Sequence, residues 1–143
     1  MKKRKIEKEL HILSNLIMRH IENFPVKKQM DAITGTNGWI IGYLAHNPEK
    51  DIFQKDLEKE FGITRSTTSK VINRMVSLGL IEKEDVASDA RLKKLKLTPQ
   101  AWKFHYKMQK SFDDFEEELL TEFSEKEVEQ LHFFIERMKE NLL

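Results

Sequence analysis

The stretch from Gln54 to Thr98 constrains this chain more than any other, because it reads as helix, turn, helix, strand, basic turn, strand. In QKDLEKEF, Gln54 to Phe61, Leu57 and Phe61 stand four residues apart on one helical face, and Gly62 supplies a C-terminal stop. Thr64 is the expected N-cap of a second helix over Arg65 to Leu78, where Val71, Ile72, Met75 and Leu78 recur at spacings of three and four. The other face of that helix carries Arg65, Ser66, Thr67, Ser69, Lys70, Asn73 and Arg74. It has no carboxylate, although Asp and Glu make up 24 of the 143 residues.

A solvated surface helix ordinarily mixes signs, gaining solubility and i,i+4 pairs. A helix that enters the major groove of DNA needs short hydroxyls, amides and cations that reach phosphates and base edges. Taken alone, the segment also fits an ordinary amphipathic helix. The chain beyond this helix separates the two readings. After Gly79, an expected C-cap, Leu80 to Val86 (LIEKEDV) is a strand candidate, and Ala87 to Ala90 (ASDA) is a small polar turn. The return run Leu92 to Thr98 alternates, with Leu95 and Leu97 on one face. A ribbon holding Arg91, Lys93, Lys94 and Lys96 has the size and charge of a wing that lies along phosphates or puts an arginine into the minor groove.

With those residues in view, FGITRSTTSKVINRMVSLGLIEKEDVASDARLKKLKLTPQA resembles the winged helix-turn-helix core of the MarR (multiple antibiotic resistance regulator) family. The matching pieces are Leu78-Gly79-Leu80-Ile81 at the end of the second helix, Asp89-x-Arg91 in the wing, and Leu97-Thr98 closing the second wing strand. Chain length and helix order extend the likeness more loosely to nearly the whole sequence. Ala101 departs from the glycine many relatives have soon after the Leu-Thr pair, and alanine favours a clean helix start there. The resemblance implies that Arg91 is the wing-tip residue. It further implies a small aromatic or amphipathic ligand in the cleft between dimer helices and winged lobe, which would shift the spacing of the two recognition helices.

Composition agrees. A chain of 143 residues with 39% apolar content suits one domain with an ordinary core. There is no apolar run of about 18 residues and no signal-peptide pattern, so a cytoplasmic protein with no membrane role is expected. With no cysteine, disulfides and the thiol-based sensing of some members of the resembled family are excluded. The net charge of +1 is unevenly spread: residues 62–98 hold eight Lys/Arg against four Asp/Glu, residues 99–143 hold six against eleven, and residues 1–61 hold eleven against nine. The basic excess lies where groove contact is expected.

In chain order, Ile6, Leu10, Leu13, Ile17 and Ile21 predict a first helix from about Lys3 to Asn23, ended by Phe24-Pro25. Val26 to Gly35 reads as a connector. Thr36 is the expected N-cap of a helix carrying Trp39, Ile40, Tyr43 and Leu44 and ending near Asn47-Pro48. Pro99 suits the first turn of a long helix to about Glu122, with Trp102, Phe104, Met108, Phe112, Phe115, Leu119 and Leu120 as its stripe. Ser124 with Glu127 is a capping box for a last helix through Val128, Leu131, Phe134, Ile135, Met138 and Leu142. The expected fold is therefore mainly α with a small two-stranded antiparallel wing. Residues 36–98 form the winged helix-turn-helix DNA-binding lobe, and residues 1–35 and 99–143 a helical dimerisation region about a twofold axis.

Two recognition helices so related would read a pseudo-palindrome whose half-sites lie about 34 Å apart. Ser66, Thr67, Ser69 and Lys70 are assigned to the groove floor or its phosphates and Arg65 and Arg74 to the backbone, with Arg91 and Lys93 from the wing and Asp89 orienting a nearby arginine. Ile17, Ile21, Trp39, Tyr43, Trp102 and Tyr106 are the candidate lining of the effector cleft, although aromatic stripes at helical spacing also serve as core. No cofactor is expected. No Gly-rich phosphate loop, GxSxG elbow or HExxH pair occurs, so catalysis is not expected. Glu129-x-x-His132 is the closest approach to ligand spacing, and His11, His20, His46 and His105 are dispersed. The expected function is a homodimeric, sequence-specific DNA-binding transcription regulator that acts as a ligand-responsive repressor. Two rivals stand beside it, a winged-helix module that binds protein and a metal-responsive DNA-binding regulator.

Overall fold

A computed structural model describes residues 3–35 and 37–143. Thr36, the expected cap of the third helix, lies outside the described residues. The elements in chain order are α1 (Ile6–Glu22), α2 (Pro25–Thr34), α3 (Trp39–His46), α4 (Gln54–Phe61), α5 (Arg65–Ser77), β1 (Ile81–Val86), β2 (Asp89–Leu97), α6 (Pro99–Leu119) and α7 (Glu125–Leu142). Residues 1–109 and 110–143 form two separate units. The first contains everything from α1 to the first half of α6, and the second contains the rest of α6 and α7.

One expected connector is a helix. In α2, Pro25 takes the first helical position, where its missing N–H costs nothing, so the residue that stops α1 also starts the next element. Val26, Met30 and Thr34, four residues apart, form a buried face, and Gly35 at φ 64° closes the helix in the left-handed region. Polar Lys27, Lys28, Gln29 and Asp31 between them hid this short period in the sequence. Three other boundaries move by a few residues: α1 begins at Ile6, α6 ends at Leu119, and β2 begins at Asp89 rather than Leu92.

The lobe around α4 and α5 is held by a contiguous core in which Ile40, Leu57, Ile72, Met75, Leu80 and Ile81 are fully buried. Each such side chain contributes roughly 1.5–3 kcal/mol by leaving water. Helix α5 is fixed at both ends. Thr64 Oγ1 accepts the Thr67 N–H at 3.3 Å, and the buried Thr68 hydroxyl donates to the Thr64 carbonyl at 2.7 Å. At the other end, Gly79 at φ 73° lets its N–H reach the Val76 carbonyl and the Leu80 N–H reach that of Met75, both at 3.0 Å. Strands β1 and β2 pair antiparallel, Ile81 opposite Leu97 and Lys83 opposite Leu95, with a shift in register after Asp85. Ile52 adds one bridge to Leu95, its carbonyl accepting the Leu95 N–H at 2.7 Å. Thr98 ties three elements together: its hydroxyl donates to the Gly79 carbonyl at 2.6 Å and accepts the Ala101 N–H at 3.2 Å, while its own N–H donates to Leu80.

In the second unit the expected capping box is present. Ser124 Oγ accepts the Glu127 N–H at 3.1 Å, and the Glu127 carboxylate accepts the Ser124 N–H at 3.0 Å. That N–H and the Ser124 hydroxyl hold the carboxyl below its usual range.

Candidate nucleic-acid interface

The inner face of α5 sinks Thr68, Ile72 and Met75 into the core, which turns Arg65, Ser66, Thr67, Lys70, Asn73 and Arg74 to the surface and leaves Ser69 half-buried. Ser66, Lys70 and Asn73, at i, i+4 and i+7, share the middle of that exposed face. Three cations and no carboxylate in thirteen residues make α5 an unneutralised positive surface.

The wing differs in this respect. Its cations lie beside acids: Lys93 pairs with Asp85, Lys96 with Glu84 at 3.8 Å, Lys94 with Asp51 at 3.1 Å and Arg91 with Asp89 at 3.4 Å. The Asp51 carboxylate raises the Lys94 ammonium above its ordinary pKa. The same Asp89 oxygen accepts the Arg91 backbone N–H at 2.9 Å, so Asp89 orients the wing-tip arginine from both its main chain and its guanidinium. These pairs are exposed and exchangeable, and an incoming phosphate competes with them at little cost.

Between the start of α4, the first turn of α5 and the wing lies an open cleft of about 340 Å³. Lys55, Arg65, Lys83, Arg91 and Lys93 line it against a single carboxylate, Glu58. It thus brings three sequence-predicted residues together and adds Gln54, Lys55 and Lys83, which sequence reasoning did not single out. Gln54 fixes the geometry by donating to the Arg65 carbonyl at 3.2 Å, across the turn from α4 to α5. The signal for Lys83 was its strand alternation with Ile81, which puts it on the face of β1 toward the core helices. Arg74 stands apart from the cleft, and its guanidinium donates to the Ile33 carbonyl in the last turn of α2 at 3.5 Å.

The residues expected to line an effector cleft fall into separate groups. Trp39 and Tyr43 pack on Phe61, with ring centroids at 4.1 and 5.4 Å. Trp102 stacks on Tyr106 at 5.8 Å, with Tyr106 60% exposed. Ile17 and Ile21 of α1 are half-buried. Beside the second group, His105 meets His46 of α3 edge to face at 5.6 Å. Burial, and secondarily His46, holds the His105 imidazole below its ordinary pKa. Among the described residues, no three His, Asp or Glu side chains cluster as a metal site, and no helix is long and apolar enough to cross a membrane.

Known proteins share this fold. The sequence model of the MarR family matches residues 33–92, which run from the end of α2 into the wing. The structure of a MepR mutant from S. aureus superposes with a TM-score of 0.82, covering 98% of this chain and 100% of that one at 24% identity. The S. aureus MepR-DNA complex matches at 26% identity and a TM-score of 0.74, over 93% and 96% of the two chains. The transcription regulator MarR from Oenococcus oeni is 32% identical over 95% of this chain and 99% of its own, with a TM-score of 0.57. A likeness running the full length of that regulator, with the family's core spanning α3 to the wing, makes this chain a member of the MarR family, a winged helix-turn-helix transcription regulator and not an enzyme.

Proposed function

We propose that this chain binds double-stranded DNA as a homodimer and represses transcription from a pseudo-palindromic operator. The observation that carries the reading is the acid-free outer face of α5, presented by a helix whose inner face is fully buried and flanked by a cleft with five cations to one acid. A rigid helix with hydroxyls, an amide and cations outward suits the major groove, and the cleft suits the phosphates beside it. A relative solved with DNA supports the same use of the fold.

The dimer is argued from the terminal helices. Among the described residues, α1 and α7 bury no side chain, yet Leu10, Leu13, Leu16, Leu131, Phe134 and Ile135 are all exposed apolar residues. A second copy related by a twofold axis would cover such faces and set two α5 helices about one DNA turn, roughly 34 Å, apart. Occupying an operator hinders the polymerase, so repression is the simplest consequence. In this reading the protein acts in the cytoplasm, and a small apolar or aromatic effector that favours one spacing of the two α5 helices relieves repression. The exposed Tyr106 and its stacked Trp102 are the surface we assign to that effector.

Selection of genomic fragments by purified protein at two salt concentrations tests the proposal. Enrichment of one short pseudo-palindrome, lost steeply as salt rises, is the expected result. Salt-sensitive retention without a shared sequence would reduce the protein to a nonspecific DNA binder, and no retention at low salt would favour a protein partner for the winged lobe.

A further inference from the structure

Building on the DNA-binding reading above, we infer that Asn73 is a base-reading residue that acts as a hydrogen-bond donor, with Lys83 of the wing as the positioning residue that holds its amide. Asn73 sits on the same exposed line of α5 as Ser66 and Lys70, and Lys83 Nζ donates to its Oδ1 at 2.9 Å. The chemistry of the pair fixes which way the amide faces. A lysine ammonium has three donors and no acceptor, so only the carbonyl oxygen of Asn73 can face it, and the NH2 group is turned the other way. The positive charge also polarises the amide and strengthens its N–H donors.

That orientation selects among bases. An unrestrained asparagine reads adenine with both ends, its oxygen accepting from N6 and its NH2 donating to N7. Lys83 takes one of the two lone pairs of Oδ1, turns that oxygen away from the NH2 side and sets a positive charge against any further N–H donor. Asn73 therefore offers chiefly its NH2 group, and the edge that matches donors is guanine, which shows N7 and O6 as adjacent acceptors in the major groove. The wing strand thus contributes to sequence choice without touching a base. Lys83 also lines the basic cleft, so a single side chain joins the phosphate surface to the reading face.

The test uses the full chain and a randomised duplex pool, comparing wild type with Asn73→Ala and Lys83→Met. Both residues are exposed, and matched melting curves check that the variants fold. Wild type should select guanine at one position of each half-site. Asn73→Ala should lose that preference, with discrimination falling by about fivefold or more, while preferences elsewhere persist. Lys83→Met should move the same position from guanine toward adenine, and the double variant should show neither preference. Uniform weakening of all sequences by Asn73→Ala would make Asn73 a phosphate contact and overturn the inference, as would an unchanged guanine preference in Lys83→Met. Wild type that retains DNA but selects no sequence would overturn sequence-specific regulation together with it, whereas a selected operator that Asn73→Ala reads unchanged overturns this inference alone.

Discussion

Helix α5 and the terminal helices carry apolar residues at the same spacing of three and four, yet Ile72 and Met75 are 0% and 1% exposed while Ile6, Leu10 and Leu13 on α1 stand at 65%, 42% and 43%. On α7, Phe134 is 52% exposed. A period defines which face is apolar and leaves open what covers it. For α5 the cover comes from its own chain: the core that takes in Ile72 and Met75 also holds Leu57 of α4, Leu80 and Ile81 just past the Gly79 turn, Leu95 and Leu97 of the return strand, and Ile40 and Leu44 of α3. One chain therefore suffices to build the face that we assign to DNA. Among the described residues α1 and α7 bury no side chain, and it is the dimer proposed above that would cover their apolar faces.

The largest expected effect comes from that division. Ile72→Ala opens a cavity in a closed core and should cost about 2–5 kcal/mol in denaturant unfolding. Leu13→Ala, measured at concentrations too low for association, should fall within roughly 0.5 kcal/mol of wild type, as exposed positions do. Equal costs would erase the distinction between the two helices.

The next effect concerns the pair alone. Leu13→Glu combined with Leu131→Glu should shift sedimentation from dimer to monomer while leaving the winged lobe folded. Operator affinity should drop by roughly 100-fold, the order expected when a tethered second half-site is lost. A dimer that survives both charges would place the association surface elsewhere.

A smaller effect sharpens the contrast within the lobe, between the unneutralised α5 and the nearly balanced wing. Arg91→Ala should weaken binding to all sequences alike and lower the slope of log affinity against log salt by about one. An unchanged slope would mean that Arg91 stays on Asp89 in the complex and that the wing adds no phosphate contact.

How far the sequence alone revealed this depended on the range of the interactions involved. The helix-turn-helix, the Thr64 and Ser124 caps and the Gly62 and Gly79 stops are local chemistry, and each was legible within a few residues. Helix α2 was not, because Pro25 can end one helix or begin another, and only its packing through Val26, Met30 and Thr34 decides which. In the candidate interface, side chains projecting from α5 followed from its period. The pairing of wing cations with Asp85, Glu84 and Asp51, and the reach of Lys83 to Asn73, depend on strand register and on contacts between elements. Composition reported a basic wing, whereas geometry leaves α5 as the more positive of the two. The aromatic residues illustrate the same limit, since Trp39 and Tyr43 found Phe61 as a partner, a residue the period had placed only on its own helix.

The smallest expected effect tests a surface between these extremes, the seam where α3 meets α6. His46 Nδ1 lies 2.6 Å from the Gly42 carbonyl, which can only accept, so that nitrogen carries the proton. His105 packs against the same ring, and its imidazole is held below its ordinary pKa by burial and by His46. The folded protein therefore binds this proton less readily than the unfolded chain does. Linkage then makes stability rise with pH across the window: it is fully present above the unfolded value of about 6.5 and is lost as pH falls from there toward the folded value. Melting temperature should decline modestly between about pH 7 and pH 5.5, and His105→Gln should flatten that decline. Amide exchange should quicken over the same range, most of all in α3 and α6, which carry the two histidines. The core that joins α3 and α6 to α5 is continuous, so α5 should follow to a smaller degree, and an acid response missing from α3 and α6 would mean that His105 is not coupled to folding.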